Sequence, residues 1–517
     1  MLRRAPAGES PGDGVISRHL IPLLAAAALG CAAPDERSEP PEAAPPAADV
    51  DRAPTETVAR RPAEPIPEVR LTVDATKPGV AGLIELEAPR PTELNLLFRV
   101  DFEGYPGLAT RLTSLAARGP NGPLEAEEAP DGLGAGHFVI HAGTAGRVTI
   151  EYSFALDAPD DSRLYHRASQ IAADGGHLLA RDLVPRVWFG PPRAGPHPAR
   201  VSLNGLPRNW RVASIEPRVG TGYDVADIVD AVFLLGPLRQ QQLNLGPRSL
   251  VTAVYGRWPI DDDRIFDAVS RIAGTLHRIA GDGWARGDYL LGVGRVPKTV
   301  SGWSTGGQVI GRAGITCAGG SARSNAEFES WTYTTAHELM HWYIPTGFAF
   351  DSEPPSWFSE GFTDYMALKT LLVGGLIDAQ AFLDEIDYRW ARYRNSPLYG
   401  TASLVDAEDD FWNEDSYHYI YDGGALAALL LDLGFQDRGG SLERALGDLR
   451  HRKRLSVDDL VAVLASIREN EWIDDWLADG TNPDWASRLE AYGLARSNDS
   501  LVSLNDWATD ALSSIRP

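Results

Sequence analysis

The run WTYTTAHELMHWYIP places His337, Glu338 and His341 in the order His-Glu-Leu-Met-His. On a helix, residues four apart sit ~40° apart around the axis, so both imidazoles can reach one ion. Tetrahedral zinc takes nitrogen ligands at ~2.0–2.1 Å, and a catalytic site keeps one position open for water. Glu338 stands off the ligand line, where its carboxylate can take a proton from that water. The pentapeptide alone also occurs by chance on exposed helices, so the case for a metal rests on a second segment.

PSWFSEGFTDYMA supplies it. Eighteen residues separate His341 from Glu360, whose carboxylate is the expected third ligand. Asp364 is four further on and shares a helix face with Glu360. A ligating histidine usually donates its other N–H to a carboxylate, and Asp364 is the natural acceptor for His337. Structural zinc sites normally close with four protein ligands, mostly Cys and His. There is no cysteine near this motif. The pattern predicts a catalytic site with one Zn2+ per chain.

Such a helix needs a scaffold. LVTAVYG and YLLGVGRV read as strands, and GQVIGRAGITCAGG as a Gly-rich strand. DDDRIFDAVSRIAGTLHRIAGD reads as a helix with Ile265, Phe266, Val269, Ile272, Leu276 and Ile279 on its apolar face and acids at its start. From Ala336 onward the chain reads as largely helical, and GGALAALLLDLGF as a buried helix. Ser441 and Ser456 are expected N-caps, and Gly480 an expected stop. Upstream, from Val69 to about Gly236, short β-rich runs such as VRLTVDA, LIELEA and RVTIEYSFAL alternate with Gly, Pro and Asp clusters. They predict an antiparallel β domain, with VSLNGLPRNWRVASI as a late hairpin. The expected organisation is multidomain. An N-terminal β domain over 69–246 precedes a catalytic α+β domain over 247–517 that ends mainly helical.

HELMH, eighteen residues and Glu360 make the gluzincin pattern, and WFSEGFTDY resembles the glycyl aminopeptidase family and, less closely, the aminopeptidase N family. YHYIYDGGALAALLLDLGF is similar to that family's Tyr-x-Lys-Gly segment before a buried helix. DDWLADGTNPDWASRLEAYGL and VADIVDAVFLLGP resemble the end of its catalytic domain and the junction behind its β domain. The resemblance runs over about 69–494. It implies a thermolysin-like catalytic domain, with His337, His341 and Glu360 on zinc and Glu338 as general base. It also implies Tyr421 as the tyrosine that steadies the tetrahedral intermediate, with Tyr417 and Tyr419 close enough to be confused with it. Amide hydrolysis develops an oxyanion that a metal and a phenol can share. His418 reads as a surface histidine.

The chain departs from this pattern in three places. Gly423 occupies the family's lysine position, and a PDZ-like module common in the family is missing. The stretch 289–326 contains no Asp or Glu, only Arg295, Lys298, Arg312 and Arg323. These aminopeptidases place an acid there for the substrate's free amine, which needs an anion or strong acceptors. In a thermolysin-like fold this stretch lies beside the substrate, and Gly306 and Gly307 permit close backbone approach. The reading is therefore a zinc metallopeptidase acting through an activated water. One alternative is an aminopeptidase whose amine anchor lies outside 289–326. Another is a non-catalytic peptide-binding surface protein, which the intact Glu338 disfavours.

The remaining composition bounds location and partners. With 71 acids against 48 Lys plus Arg, the formal charge is -23 over 517 residues. This argues against nucleic acid and against docking on an anionic bilayer. Arg3, Arg4 and Arg18 precede the apolar run LIPLLAAAALG, too short to span a bilayer and suited to a signal peptide. Ala28-Leu29-Gly30-Cys31 resembles the cleavage box of bacterial lipoproteins, which makes Cys31 the expected lipidation site and 1–31 the leader. The Pro-, Ala- and charge-rich 32–68 is expected to be a disordered tether. Together they predict an exported cell-envelope lipoprotein, otherwise periplasmic or secreted. Its partner would be a peptide or protein substrate, and its contact with the membrane only the lipid anchor.

Overall fold

In the computed structural model, residues 66–503 are described except 100, 103–104, 107–110, 130–135, 157–164, 191–194, 259, 282–286, 296–303, 320–324, 481–482 and 498–499. Cys31, the leader and nearly all of the expected tether lie outside them. Glu68–Asp74 alternates exposed and buried residues, as a period of two requires of a strand with one dry face. It pairs antiparallel with Gly79–Ala88 and parallel with Ala199–Asn204, at the centre of an eight-stranded sheet. Two four-stranded sheets and a two-stranded one, Asp101–Phe102 with Tyr105–Pro106, complete the β body among the described residues. Its core is aliphatic and aromatic, including Leu71, Ile84, Leu94, Ile150 and Phe233.

Three details differ from the sequence reading. VSLNGLPRNWRVASI is not a hairpin. Ala199–Asn204 joins the eight-stranded sheet, whereas Arg211–Ala213 pairs with Val232–Gly236 in another. The turn at Gly205, φ 73°, passes the chain between sheets instead of folding it back. Second, Arg239–Leu245 pairs with Arg248–Val254, so the second body begins before residue 246. RQQQLNL is polar because it is an edge strand with a largely wetted face. Third, the Gly-rich stretch is two strands, Ser304–Ile310 and Ala313–Gly319, turning at Gly311 and Arg312.

These strands form a five-stranded mixed sheet, with Ser304–Ile310 at the far edge. Its three inner strands, Arg248–Val254, Tyr289–Arg295 and Ala313–Gly319, run parallel. The amphipathic helix Asp262–Ala280 buries Ile265, Val269, Ile272 and Leu276 as the sequence predicts. The helix Asn325–Met340 begins earlier than expected and packs on the two hairpin strands. The helical remainder closes one large core with it. Ser441 and Ser456 cap their helices, and Gly480 ends one in the left-handed conformation. The two bodies meet through packed apolar residues, Leu179 and Leu234 of one with Tyr255, Leu290 and Ile315 of the other. No helix among the described residues is long and apolar enough to cross a membrane.

Candidate active site

The site begins with a match of two spacings. Trp331 Nε1 donates to Thr316 Oγ1 at 3.3 Å, and Thr334 Oγ1 to Thr305 Oγ1 at 3.0 Å, pinning Asn325–Met340 to the hairpin. Four residues along a helix rise ~6 Å, and two along a strand ~6.6 Å. Glu338, four after Thr334, therefore meets Gly307, two after Thr305. A Cβ on Gly307 would stand 2.4 Å from Glu338 Cγ and 2.7 Å from its Oε1. The glycine makes room for the carboxylate. Gly306 makes room on the other side, where a Cβ would meet the His166 ring at 2.5 Å. Glu338 is buried, and its Oε2 has no hydrogen-bond partner. Burial pushes its carboxyl up to about 7, against the nearby histidines.

His337 and His341 point into the same space. His337 Nδ1 lies 2.7 Å from Asp364 Oδ1, and His341 Nδ1 lies 3.0 Å from the Ile344 carbonyl. Those acceptors fix the proton on each Nδ1 and leave each Nε2 with a lone pair. The two Nε2 atoms are 2.9 Å apart and lie 3.4 and 3.5 Å from Glu360 Oε2. Three acceptors facing one point repel one another unless a cation stands between them. Ligand atoms ~2.05 Å from a tetrahedral ion stand ~3.3 Å apart, close to both contacts with Glu360. Within the protein alone, burial opposes charge on His337, yet Asp364 and Glu360 outweigh it and hold the ring up to about 10. The pocket favours positive charge, and His337, His341 and Glu360 fit a zinc ion.

Glu360 arrives on a single π-helical turn, Trp357–Phe362, which runs into the helix Thr363–Val373. The Glu408 carboxylate accepts from the Ser356 and Trp357 amides at 2.5 and 3.3 Å and holds the start of that turn. Next to Glu360, Gly361 crosses Gly424 of the helix Glu414–Asp437. A Cβ on Gly424 would lie 2.3 Å from the Trp357 carbonyl oxygen and 2.9 Å from Gly361 Cα. This backbone-on-backbone approach brings Tyr421 to the metal ligand, and its hydroxyl donates to Glu360 Oε2 at 2.5 Å. Tyr419 turns away and donates to the Ala402 carbonyl at 2.9 Å. Tyr417 packs on Tyr421 with ring centroids 4.3 Å apart. His418 is half-buried and lines the cleft, not the open surface expected for it.

Residues 348–426, which carry Glu360, Asp364 and Tyr421, match the family model described as M61 glycyl aminopeptidase. The whole fold resembles an aminopeptidase N family protein from Idiomarina loihiensis, with a TM-score of 0.70 at 17% identity over 83% of this chain and 79% of that one. An M1 zinc metallopeptidase from Deinococcus radiodurans aligns at 0.49 and 18% identity over 82% of this chain and 95% of that chain. No curated protein matches the sequence. The segment that carries the third metal ligand is thus similar to a glycyl aminopeptidase family, and the fold to that of an aminopeptidase N family protein.

The structure brings together all of the predicted ligands, Glu338, Asp364 and Tyr421. It places Gly306 and Gly307 on the edge strand, but their missing side chains yield to His166 and Glu338, leaving only their backbone edge for a substrate. The sequence reading missed what stands behind Asp364. Tyr333 donates to Asp364 Oδ1 at 2.5 Å, and Arg389 donates to Asp364 Oδ2 and to the Tyr333 hydroxyl, each at 2.5 Å. Arg389 also reaches Asp422 at 3.3 Å, which Arg392 grips through Nε and Nη2 at 2.5 and 2.6 Å. Burial works against the Asp364 anion, but Arg389 and then His337 hold it below the usual carboxylate range. Tyr333 lies one turn before His337, a signal the sequence did contain. Arg389 and Asp422 carried none.

Proposed function

We propose that the protein hydrolyses peptide bonds with Glu338 as general base and Tyr421 as the donor to the developing oxyanion. The unpartnered Glu338 Oε2, buried beside three convergent metal-ligand atoms, carries this reading. Zinc, when bound, supplies a Lewis acid that activates water and polarises the scissile carbonyl. Glu338 takes the proton of the attacking water and returns it to the leaving amine. The Tyr421 hydroxyl turns from Glu360 to the substrate oxygen. Asp364, fixed by Tyr333 and Arg389, keeps the His337 ring in register. Ser304–Ile310 is an edge strand, so an extended peptide can add to its open side.

A free substrate amine is not required in this reading, because no carboxylate lies in 289–326 and burying an unpaired charge is costly. One observation favours the aminopeptidase alternative. The buried Glu385 carboxylate lines the same cleft, and Arg389, its 3.3 Å partner, is shared with Asp364 and Asp422. The test is kcat/KM for acetylated and free forms of one peptide. Comparable values support the first reading. A preference of roughly 10²-fold for the free amine, ~2.7 kcal/mol, replaces it with the second. We also propose that the protein is exported and anchored through Cys31, on the strength of its leader sequence.

A further inference from the structure

The edge strand Ser304–Ile310 is held from both faces, and its residues alternate between them. Thr305, Gly307 and Val309 turn to the helix that carries Glu338. Gly306, Gln308 and Ile310 turn to the β body. That second interface is largely apolar, with Ile310, Ile315 and Cys317 packed on Tyr165, Leu179 and Leu234. Gln308 is the exception. Its side chain is fully buried, and both ends of its amide cross to the other body. Its Nε2 donates to the His166 carbonyl, and its Oε1 accepts from Arg181 Nη2 at 3.0 Å. A leucine would pack here without the cost of desolvating an amide. A buried amide satisfied at both ends adds what an apolar contact lacks, a single fixed offset between the two surfaces.

The groups that meet Gln308 are themselves built into the β body. The segment 165–170 is buried throughout. Ser169 donates to Asp182 Oδ2 through its amide at 2.6 Å and its hydroxyl at 2.9 Å. Gln170 Nε2 closes the segment onto the Tyr165 carbonyl at 2.6 Å, and His177 Nε2 lies 3.0 Å from the Ala168 carbonyl. The His166 ring occupies the space that the missing side chain of Gly306 leaves. The geometry points to Gln308 as a positioning residue, through which the β body sets the substrate-pairing edge of Ser304–Ile310 against Glu338. The inference rests on the peptidase reading above. A peptide long enough to pair with that edge depends on where the edge stands, and a substrate that spans little more than the scissile bond does not. The β body is thus part of the machinery that binds extended peptides.

The test uses the zinc-loaded full chain and compares a hexapeptide with the shortest fragment of it that is still cut. Gln308→Met removes both hydrogen bonds and keeps the length of the side chain. Arg181→Ala removes one of them from the β body and leaves the strand's own sequence intact. Each variant is expected to raise KM for the hexapeptide about 10-fold, ~1.4 kcal/mol, with its kcat and the KM of the fragment changing less than about threefold. Zinc occupancy should stay as in wild type. Equal losses on the two substrates, or a loss confined to kcat, overturn the inference and leave Gln308 a packing residue. Unchanged KM in both variants with chelator-sensitive cleavage also overturns it and leaves the peptidase reading intact. Should Gln308→Met not fold, Arg181→Ala decides. Where no peptide is cut, the peptidase reading fails, and the positioning role is read from binding of the hexapeptide to the zinc-loaded proteins. Binding about 10-fold weaker in the variants upholds it, and equal binding overturns it.

Discussion

Glu338 and the two histidines can be separated experimentally because they touch different partners. Glu338→Gln keeps the shape of the side chain but cannot accept a proton. It should retain zinc and lose turnover by roughly 10²–10⁴-fold. His337→Ala or His341→Ala should instead empty the site by elemental analysis, and full occupancy in either variant would rule out this ligand set. Behind them, Tyr333→Phe removes one hydroxyl from Asp364 without unpairing a charge. Groups that orient a ligand typically contribute ~10–100-fold to metal affinity. The expected outcome is zinc bound at least about tenfold more weakly, by competition with a chromogenic chelator, with little change in melting temperature. Unchanged affinity would reduce Tyr333 to a packing residue. The ligands were legible because their geometry is local, a helical i, i+4 pair and a second short motif. Arg389 and Asp422 were not, because a buried ion pair between distant helices leaves no periodic trace in sequence.

At the scale of elements, the metal ligand depends on how one helical turn begins. Glu408 comes from a neighbouring short helix, Leu404–Glu408, and caps the turn that carries Glu360. Burial raises its carboxyl from the ordinary 4.5 to about 7, although the two amides pull the other way. A raised folded-state pKa means that the protonated form is favoured on folding. That stability is fully present below the unfolded value and is lost as pH rises through about 7. Glu408→Gln cannot ionise, so the melting temperature of wild type relative to the variant should fall between about pH 5 and 7.5. A difference independent of pH would show that Glu408 does not titrate there. Caps were among the easiest elements to read, since Ser441, Ser456 and Gly480 act within one turn. The edge hairpin was harder. GQVIGRAGITCAGG lacks an Asn-Gly or Asp-Gly turn signal, and nothing in the sequence tells Gly311, which bends with φ 53°, from Gly307, which makes room for Glu338.

For the whole molecule, the order of a β body followed by a mixed sheet and helices was legible from the change in periodicity. The joint was not. Arg239–Leu245 is polar, so it read as the tail of the first body, whereas its pairing commits it to the second. Position in the cell is a separate question from fold. The apolar run that ends at Cys31 motivates a direct test in a bacterial envelope. Cys31→Ser should abolish lipid labelling and move the protein from the membrane to the soluble fraction, and unchanged partitioning would remove the anchor.

Arg389 has one more consequence. It ties the histidine that holds the metal to the helix Ala379–Asn395, whose Tyr388 and Arg392 face the cleft. A peptide seated in that cleft and an ion on His337 would thus load one connected network of charges. Thermodynamic reciprocity then requires that whatever factor the ion adds to peptide affinity, the peptide returns to the ion. A saturated enzyme should hold its metal longest against a chelator, and the idle enzyme should surrender it first.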